Sequence, residues 1–280
     1  MSKRGLKMVD KSGPEPIHIE HLLGIVRRLR DPEQGCPWDV DQTFQSIVPH
    51  TLEEAYELAD AIESKDFDQI REEAGDVLFQ VLFYAQMADE QQHFNFADVV
   101  DGLSKKLVRR HPHVFSRDSN ALHELPIAAS EVSDSWEQIK RNERQLKQQS
   151  GILDNIPLNL PALTRAQKVQ KRAARVGFDW ADVAGVFEKL EEELCELREA
   201  LVKRQEAAIE SELGDVLFCV VNLARHLGLD AETAMRGATR KFESRFRLME
   251  QQAILNGSRL EDESGSSLEA RWQAAKRDHS

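Results

Sequence analysis

Carboxylates placed three residues apart mark two neighbouring stretches in the second half of the chain. Glu193 and Glu196 share the first stretch, and Glu212 and Asp215 share the second. Residues at this spacing lie on one face of an α-helix, where like charges repel unless a cation lies between them. A short helical hairpin would bring the four side chains together. A site built only from oxygen ligands suits hard divalent cations such as Mg²⁺ or Mn²⁺.

A solvated acidic face is the simpler interpretation of one such motif. Each motif, however, runs directly into an apolar stretch, DVLFQVLFYA or DVLFCVVNLA. Each also holds a helix-interior glycine, Gly75 or Gly214, which costs about 1 kcal/mol relative to alanine. We expect such a glycine to mark the close approach of another backbone or of a ligand. Di-iron bundles use Glu-x-x-His pairs, and no histidine accompanies these carboxylates, so that kind of centre is disfavoured.

The same pattern occurs earlier in the chain, 139 residues upstream. The matching carboxylates are Glu54, Glu57, Glu73 and Asp76. Two later motifs recur in the same order: Lys106 with Arg110 resembles Lys241 with Arg245, and Trp136 with Lys140 resembles Trp272 with Lys276. Ordered recurrence at similar spacing predicts a duplicated domain.

The elements that must position these residues are helices. Glycine and proline are sparse, and alternating β-branched runs typical of strands are missing from the sequence. We predict an all-α protein with a first domain at 18–147, a linker at 148–163 and a second domain at 164–280. The predicted helices are 19–30, 48–64, 67–91, 95–110 and 133–147, then 164–176, 183–205, 207–227, 230–256 and 268–277.

Charge and cysteine content narrow the class of protein. A formal net charge of −12 argues against a general nucleic-acid binder, because phosphate backbones are held by surplus Lys and Arg. The three cysteines form no CxxC pair, which indicates reduced thiols and a cytoplasmic location. The N-terminal stretch has no apolar core of a secretory signal, and no run approaches the roughly 20 apolar residues of a membrane span.

The carboxylate motifs and their surroundings resemble a known family. EExxE followed by ExxD is the signature of the all-α nucleoside triphosphate pyrophosphohydrolases. Residues 22–276 are similar to the MazG group of that family in almost every segment outside two Ser-rich loops. The strings that carry the resemblance are RLRDPEQGCPWDVDQTF, TLEEAYE, GDVLFQVLFYAQMA, RRHPHVF, SWEQIK, PALTRAQKVQKRAARVGFDW and VNLARHLG.

The resemblance implies two helical bundles of MazG type in an intertwined homodimer. It implies Mg²⁺-dependent hydrolysis of nucleoside triphosphates to monophosphates and pyrophosphate, with Mn²⁺ as a substitute, broad base specificity, and a role in nucleotide-pool housekeeping or stress. The C-terminal half is the one credited with activity. By motif, the metal ligands would be Glu193, Glu196, Glu212 and Asp215. The nucleotide-contacting residues would be Lys140, Lys189, Glu192, Lys241, Arg245 and Trp272.

Elementary chemistry fits these roles but leaves alternatives open. Either Glu192 or Glu193 could position the attacking water. Lys241 and Arg245 share a helix face and could reach phosphates, or they could be solvated helix charges. Trp272 could stack on a base or anchor a core.

The first half keeps a possible second site, formed by Glu54, Glu57, Glu73, Asp76, Lys106 and Arg110. It has His50 where the second half has Lys189, and a largely neutral histidine is the poorer phosphate partner at pH 7. Two other interpretations stay open: a helical regulatory module that binds a nucleotide or a protein without turnover, and a narrower enzyme that cleaves dUTP or phosphoribosyl-ATP.

Overall fold

The chain forms helices and no strand in the part that the computed structural model describes, which is residues 18–115 and 151–278 together with Ile139 and Glu143. It divides into two compact units, residues 1–140 and 141–280. The prediction of an all-α protein is confirmed. None of the described helices is long and apolar enough to cross a bilayer.

The first unit centres on a long helical hairpin. Its helices are α1 (Ile19–Leu29), α2 (Pro37–Asp41), α3 (Phe44–Ser64), α4 (Phe67–Glu90), α5 (Phe96–Arg110) and α6 (Pro112–Phe115). Helices α3 and α4 pack along each other, and α1 packs on α4. The core forms between these three helices from Val26, Ile47, Leu82, Phe83 and Met87. The carboxylates of this unit therefore lie on two helices whose apolar faces are held together.

Helix α3 begins earlier than predicted. We expected a start near residue 48, but the helix begins at Phe44 and runs through Pro49. The reason is a reciprocal cap: Ser46 N–H donates to Thr43 Oγ1 at 3.2 Å, and Thr43 N–H donates to Ser46 Oγ at 2.8 Å. Two backbone donors of the first turn are satisfied in this way, which stabilises the earlier start.

The second unit repeats the hairpin. Its helices are α7 (Ala162–Ala174), α8 (Val183–Lys203), α9 (Glu206–His226), α10 (Ala231–Leu255) and α11 (Gly265–Asp278), with a 3₁₀ turn at Leu260–Asp262. Helix α9 packs along α8 and also contacts α7 and α10, while α11 packs on α10. Buried side chains of this unit include Val186, Val221, Met249, Ala253 and Ala275.

The repeat extends to the backbone of the hairpin turns. Lys65 follows α3 with φ 60°, and Arg204, at the equivalent position after α8, has φ 51°. Both are left-handed residues that end a helix, a conformation that glycine adopts at lower cost. The chain thus reverses in the same way in both units, directly after the EExxE helix.

The other predicted helices are close to those of the structure, with two differences. Short helical segments at Pro37–Asp41, Pro112–Phe115 and Leu260–Asp262 were not predicted, because three to five residues are too few to show a helical period. The predicted helix 133–147 lies outside the described residues, apart from Ile139 and Glu143, which are helical.

Neither helix-interior glycine is approached closely by another part of the described chain, and the close approach of a ligand or of a second chain stays a prediction. A Cβ atom built on Gly75 or Gly214 meets no described atom within 4 Å, and both residues are exposed. No second helix of the described segments crosses closely at either glycine. Each glycine therefore faces open space, as far as the described residues extend.

A partly buried ion pair fixes the turn before α11. Glu263 accepts from Arg271 Nη2 at 2.6 Å, and the two side chains are only 9% and 17% exposed. Ser258 Oγ and Ser267 Oγ also donate to this carboxylate, at 2.8 and 2.7 Å. The Arg271 guanidinium, helped by both hydroxyls, lowers the pKa of Glu263 from an ordinary 4.5 to about 2.

We expect Glu263→Gln to lower the melting temperature at neutral pH, by an amount that shrinks in acid. A carboxyl whose pKa is depressed in the folded state stabilises the fold above its unfolded pKa, and that contribution is lost as pH falls from about 4.5 towards about 2. Thermal melts between pH 7 and pH 3 measure this difference in melting temperature between wild type and variant. Glu261→Gln is the matched control, since the Glu261 side chain is 74% exposed. A difference in melting temperature that did not change with pH would mean that the variant is destabilised by lost packing and not by lost charge.

Candidate metal and nucleotide site

The hairpin of the second unit brings three of the four predicted metal ligands together. Oxygen atoms of Glu193, Glu196 and Glu212 all lie within 4.8 Å of one another. Glu193 is 6% exposed, because it lies where α8 packs on α9, whereas Glu196 faces solvent. Asp215 falls outside this set of three, but its charge acts on Glu212, one turn before it on α9. The sequence spacing therefore places the carboxylates as a short hairpin should.

Glu193, Glu196, Glu212 and Asp215 form a carboxylate cluster, in which the negative charges act on one another. Burial raises the pKa of Glu212, and the charges of Glu196, Asp215 and Glu193 raise it further. Among the described residues, the group that converges here consists of carboxylates alone, a donor set that fits a hard divalent cation. Glu193, Glu196 and Glu212 would hold such an ion, with Asp215 available from the next turn of α9.

Lys189 orients the first carboxylates of the cluster. Its ammonium lies 2.8 Å from Glu192 Oε1 and 2.7 Å from Glu193 Oε1, because the three residues share one face of α8. Hydrogen bonds to Glu192 and then to Glu193 raise the pKa of Lys189 above its usual value. The resemblance assigned Lys189 to the nucleotide; in the structure the same residue holds both glutamates proposed to position the water.

A cavity of about 690 Å³ adjoins this cluster. Its wall includes Lys189, Glu193 and Asp215, so the cavity and the carboxylate cluster share residues. The rest of the wall is mainly apolar and comes from the segment before α7, from α7, from the loop before α8 and from α9. A volume of this size is in the range of pockets that hold small-molecule ligands.

The other nucleotide-contacting residues predicted for this unit lie away from the cavity. Lys241 and Arg245 are on α10, exposed and half-buried respectively, and Trp272 is on α11. None of the three is part of the cavity wall. The Trp272 ring packs against Phe242, with centroids 5.1 Å apart, and Lys276 Nζ lies 5.7 Å from its centroid. Lys140 lies outside the described residues.

The first unit forms the equivalent carboxylate cluster. Oxygen atoms of Glu54, Glu57 and Glu73 lie within 4.8 Å of one another. Burial raises the pKa of Glu54 and of Glu73, and neighbouring carboxylates, Asp76 among them, raise both further. The remaining two residues of the possible second site, Lys106 and Arg110, lie on α5, which packs against α4.

The counter-charge differs between the units. His50 Nδ1 lies 3.6 Å from Glu53 Oε2, as Lys189 lies beside Glu192, but an imidazole is charged only when protonated. The two hairpins thus have the same carboxylate geometry and different partners for it.

Sequence reasoning missed a polar group of the cavity wall. Asp179 accepts hydrogen bonds from both terminal nitrogens of Arg225 and from His226 Nε2, and Arg225 Nε donates to Asn222 Oδ1 at 3.0 Å. Gln170, buried at 6% exposure, lines the same wall. These residues fall inside the strings that carry the family resemblance, but no spacing rule distinguishes them from ordinary helix residues.

The fold and site define an all-helical protein with a duplicated carboxylate centre. A family model described as the MazG nucleotide pyrophosphohydrolase domain matches residues 42–115 and again residues 181–247. Each match spans the carboxylate hairpin of one unit. The chain belongs to this family of hydrolases and contains its domain twice, as the resemblance implied.

Relatives of similar length support the same family. The nucleoside triphosphate pyrophosphohydrolase of Escherichia coli K12 is 52% identical over 263 residues, which is 92% of this chain and 97% of that protein. The Thermotoga maritima protein called nucleoside triphosphate pyrophosphohydrolase/pyrophosphatase MazG is 45% identical over 260 residues, 93% of this chain and 96% of the relative. The uncharacterized protein YabN of Bacillus subtilis is 42% identical over 270 residues, but these are only 54% of its length.

Proposed function

We propose that the chain hydrolyses nucleoside triphosphates to nucleoside monophosphates and pyrophosphate, with a divalent cation held by the second unit. The observation that carries this proposal is the convergence of Glu193, Glu196 and Glu212 within 4.8 Å, on the hairpin that the family domain matches. The names of the E. coli and T. maritima relatives support the substrate class. The unpaired cysteines support a cytoplasmic location.

The site residues would have different roles according to their positions. Glu193, Glu196, Glu212 and Asp215 would hold Mg²⁺ or Mn²⁺, which supplies charge neutralisation for the phosphates and acidifies a bound water. Glu192 and Glu193 remain the two candidates for orienting the attacking water. The Glu192 side chain is 56% exposed and that of Glu193 is 7% exposed, so Glu192 has more freedom to move towards a substrate.

The cationic residues would act on the triphosphate. Lys189, Lys241 and Arg245 are proposed to contact phosphate oxygens, with Lys140 as a further contact, because cations are needed to offset the substrate's negative charge. A nucleotide contact by Trp272 is proposed from the resemblance alone, because its ring packs on Phe242 and is not part of the cavity wall. Broad base specificity and a housekeeping or stress role are proposed from the resemblance alone.

Product analysis tests the cleavage position. We expect ATP and dUTP to give the monophosphate and pyrophosphate in equal amounts, separated by anion-exchange chromatography. Diphosphate and orthophosphate would place cleavage at the terminal bond and would contradict the proposal. Binding of nucleotide without turnover, with Mg²⁺ present, would favour the regulatory module instead.

We also propose a homodimer that covers the open side of the hairpins. On α9, Leu213, Leu217 and Val220 are each 45–48% exposed at helical spacing, and on α4 the residues equivalent to the last two, Leu78 and Val81, are 38% and 40% exposed. An apolar stripe that both repeats expose next to an open glycine supports burial against a second chain.

We expect light scattering after size exclusion to give the mass of two chains for the wild type. Leu217→Glu should shift the protein towards one chain, because a charge inside an apolar interface is costly. Val202→Glu is the control, since Val202 is 84% exposed on α8. A Leu217→Glu protein that stayed dimeric with wild-type stability would exclude this face from the interface.

A further inference from the structure

We infer that the cavity beside the carboxylate cluster receives the nucleobase, and that Gln170 is the residue that recognises an N–H group on the base edge. This inference rests on the proposed function and deepens it. It starts from one atom: Gln170 Oε1 is buried and has no hydrogen-bond partner among the described residues, although Gln170 lines the cavity. A buried acceptor without a donor is costly, so its partner should come from a ligand or from a water that the ligand replaces.

The orientation of the Gln170 amide is fixed by its other end. Gln170 Nε2 donates to the backbone oxygen of Phe218 at 2.8 Å. A carbonyl oxygen can only accept, so the amide cannot be turned over without placing two acceptors in contact. The free atom is therefore the oxygen, and the group it lacks is a hydrogen-bond donor.

Arg225, the guanidinium in the same wall, donates to other acceptors. Arg225 is engaged by Asp179 through its two terminal nitrogens and by Asn222 through Nε. Among the described residues, Gln170 is the one with a buried, unpartnered side-chain atom in this wall. Gln170 Oε1 is thus the buried acceptor in this wall that still needs a donor.

The apolar part of the wall suits a flat aromatic ligand. Phe178, Trp180 and Phe218 all line the cavity and expose 43% or more of their surface. Trp180 is seated against the start of α8 at Gly185, where an added Cβ would lie 3.1 Å from the indole ring. Stacking on aromatic side chains is tolerant of base identity. Lys189 and Glu193 in the same wall would place the phosphates of such a ligand near the carboxylate cluster.

A single acceptor can serve all four bases. Adenine and cytosine carry an exocyclic amino group, and guanine and uracil carry a ring N–H on the same edge. Gln170 would therefore be compatible with broad specificity and would reject only a base that lacks the donor. This assignment places the base in the cavity, whereas the family resemblance suggested that Trp272 could stack on it.

Purine riboside triphosphate tests the inference, because it differs from ATP only by loss of the 6-amino group and adds no bulk. We expect kcat/KM for pyrophosphate release to be roughly 10- to 100-fold lower than for ATP in the wild type, the cost of leaving one buried acceptor unpaired. In Gln170→Met the two substrates should differ by less than about twofold, because the acceptor is gone. Equal rates in the wild type, or an unchanged ratio in Gln170→Met, would overturn the assignment.

A second glutamine on the same helix is the matched control. Gln167 donates to Leu229 O at 2.8 Å and accepts from Ala231 N–H at 3.0 Å, so both ends of its amide are engaged, and it does not line the cavity. Gln167→Met should keep the wild-type preference for ATP over purine riboside triphosphate, whatever it does to stability.

Binding separates failure of the inference from failure of the proposed function. Calorimetric titration of the wild type with each nucleotide in Mg²⁺ should show ATP binding roughly tenfold or more tightly. A preference for ATP without any cleavage would reject the proposed reaction and keep the role of Gln170. Cleavage of both nucleotides, bound with equal affinity, would support the proposed reaction and reject the role of Gln170.

Discussion

Replacing Glu193 with alanine is expected to lower pyrophosphate release on the order of 100-fold or more. This residue is the most buried member of the cluster, and its carboxylate lies within 4.8 Å of Glu196 and Glu212 oxygens. The substitution removes a proposed ligand, and it also leaves Lys189 with only Glu192 to contact. Loss of one preorganised electrostatic group in an active site has effects of this size. Asp215→Ala should act in the same direction. Initial rates at saturating Mg²⁺ measure the loss.

The first unit supplies the matched controls. Glu54→Ala and Asp76→Ala remove the equivalent carboxylates, and we expect most of the activity to remain, because that unit has His50 in place of Lys189. Far-UV circular dichroism of all four variants should match the wild type, which separates lost chemistry from lost folding. Equal losses in both units would mean two working sites, and a loss confined to the first unit would place catalysis there.

Removal of divalent cations is expected to abolish activity. Excess EDTA should bring pyrophosphate release to background, and Mg²⁺ or Mn²⁺ should restore it fully. Ca²⁺ should be a poor substitute, because it prefers more ligands and longer bonds than the compact octahedral ions. Full turnover in EDTA would show that the carboxylates are a solvated acidic face and not a metal site.

Stability gives a second measure of the same ion. Burial raises the pKa of Glu212 and the charges of neighbouring carboxylates raise it further, so a cation bound among these carboxylates should favour the folded state. The wild-type melting temperature should rise with Mg²⁺ concentration, and Glu193→Ala should lose most of that rise. A rise that was identical in both proteins would locate the ion elsewhere.

Much of the fold and part of the candidate site could be predicted from sequence, for physical reasons that differ by residue. Long helices such as Val183–Lys203 have a strong period, and the spacing of Glu193 and Glu196 fixes a shared helix face. The start of α3 could not be predicted, because its Thr43–Ser46 cap competes with an unfavourable proline at position 49. The role proposed for Gln170 could not be predicted either, because it depends on a contact between helices. Phe218 of another helix accepts from Gln170 Nε2, and this fixes which end of the amide is left without a partner.

The pairing of Lys189 with Glu192 and Glu193 has a consequence for how the two repeats diverged after duplication. A permanent ammonium keeps the second hairpin's carboxylates preorganised before any ion arrives, so less reordering remains to be done on binding. The first hairpin has an imidazole 3.6 Å from Glu53, which provides that counter-charge only in its protonated form. The amino-acid exchange at these matched positions therefore gives the two hairpins different counter-charges, a lysine ammonium in the second and an imidazole in the first. Selection for catalysis in the second unit alone would allow the first unit to become a structural scaffold that still has its carboxylates.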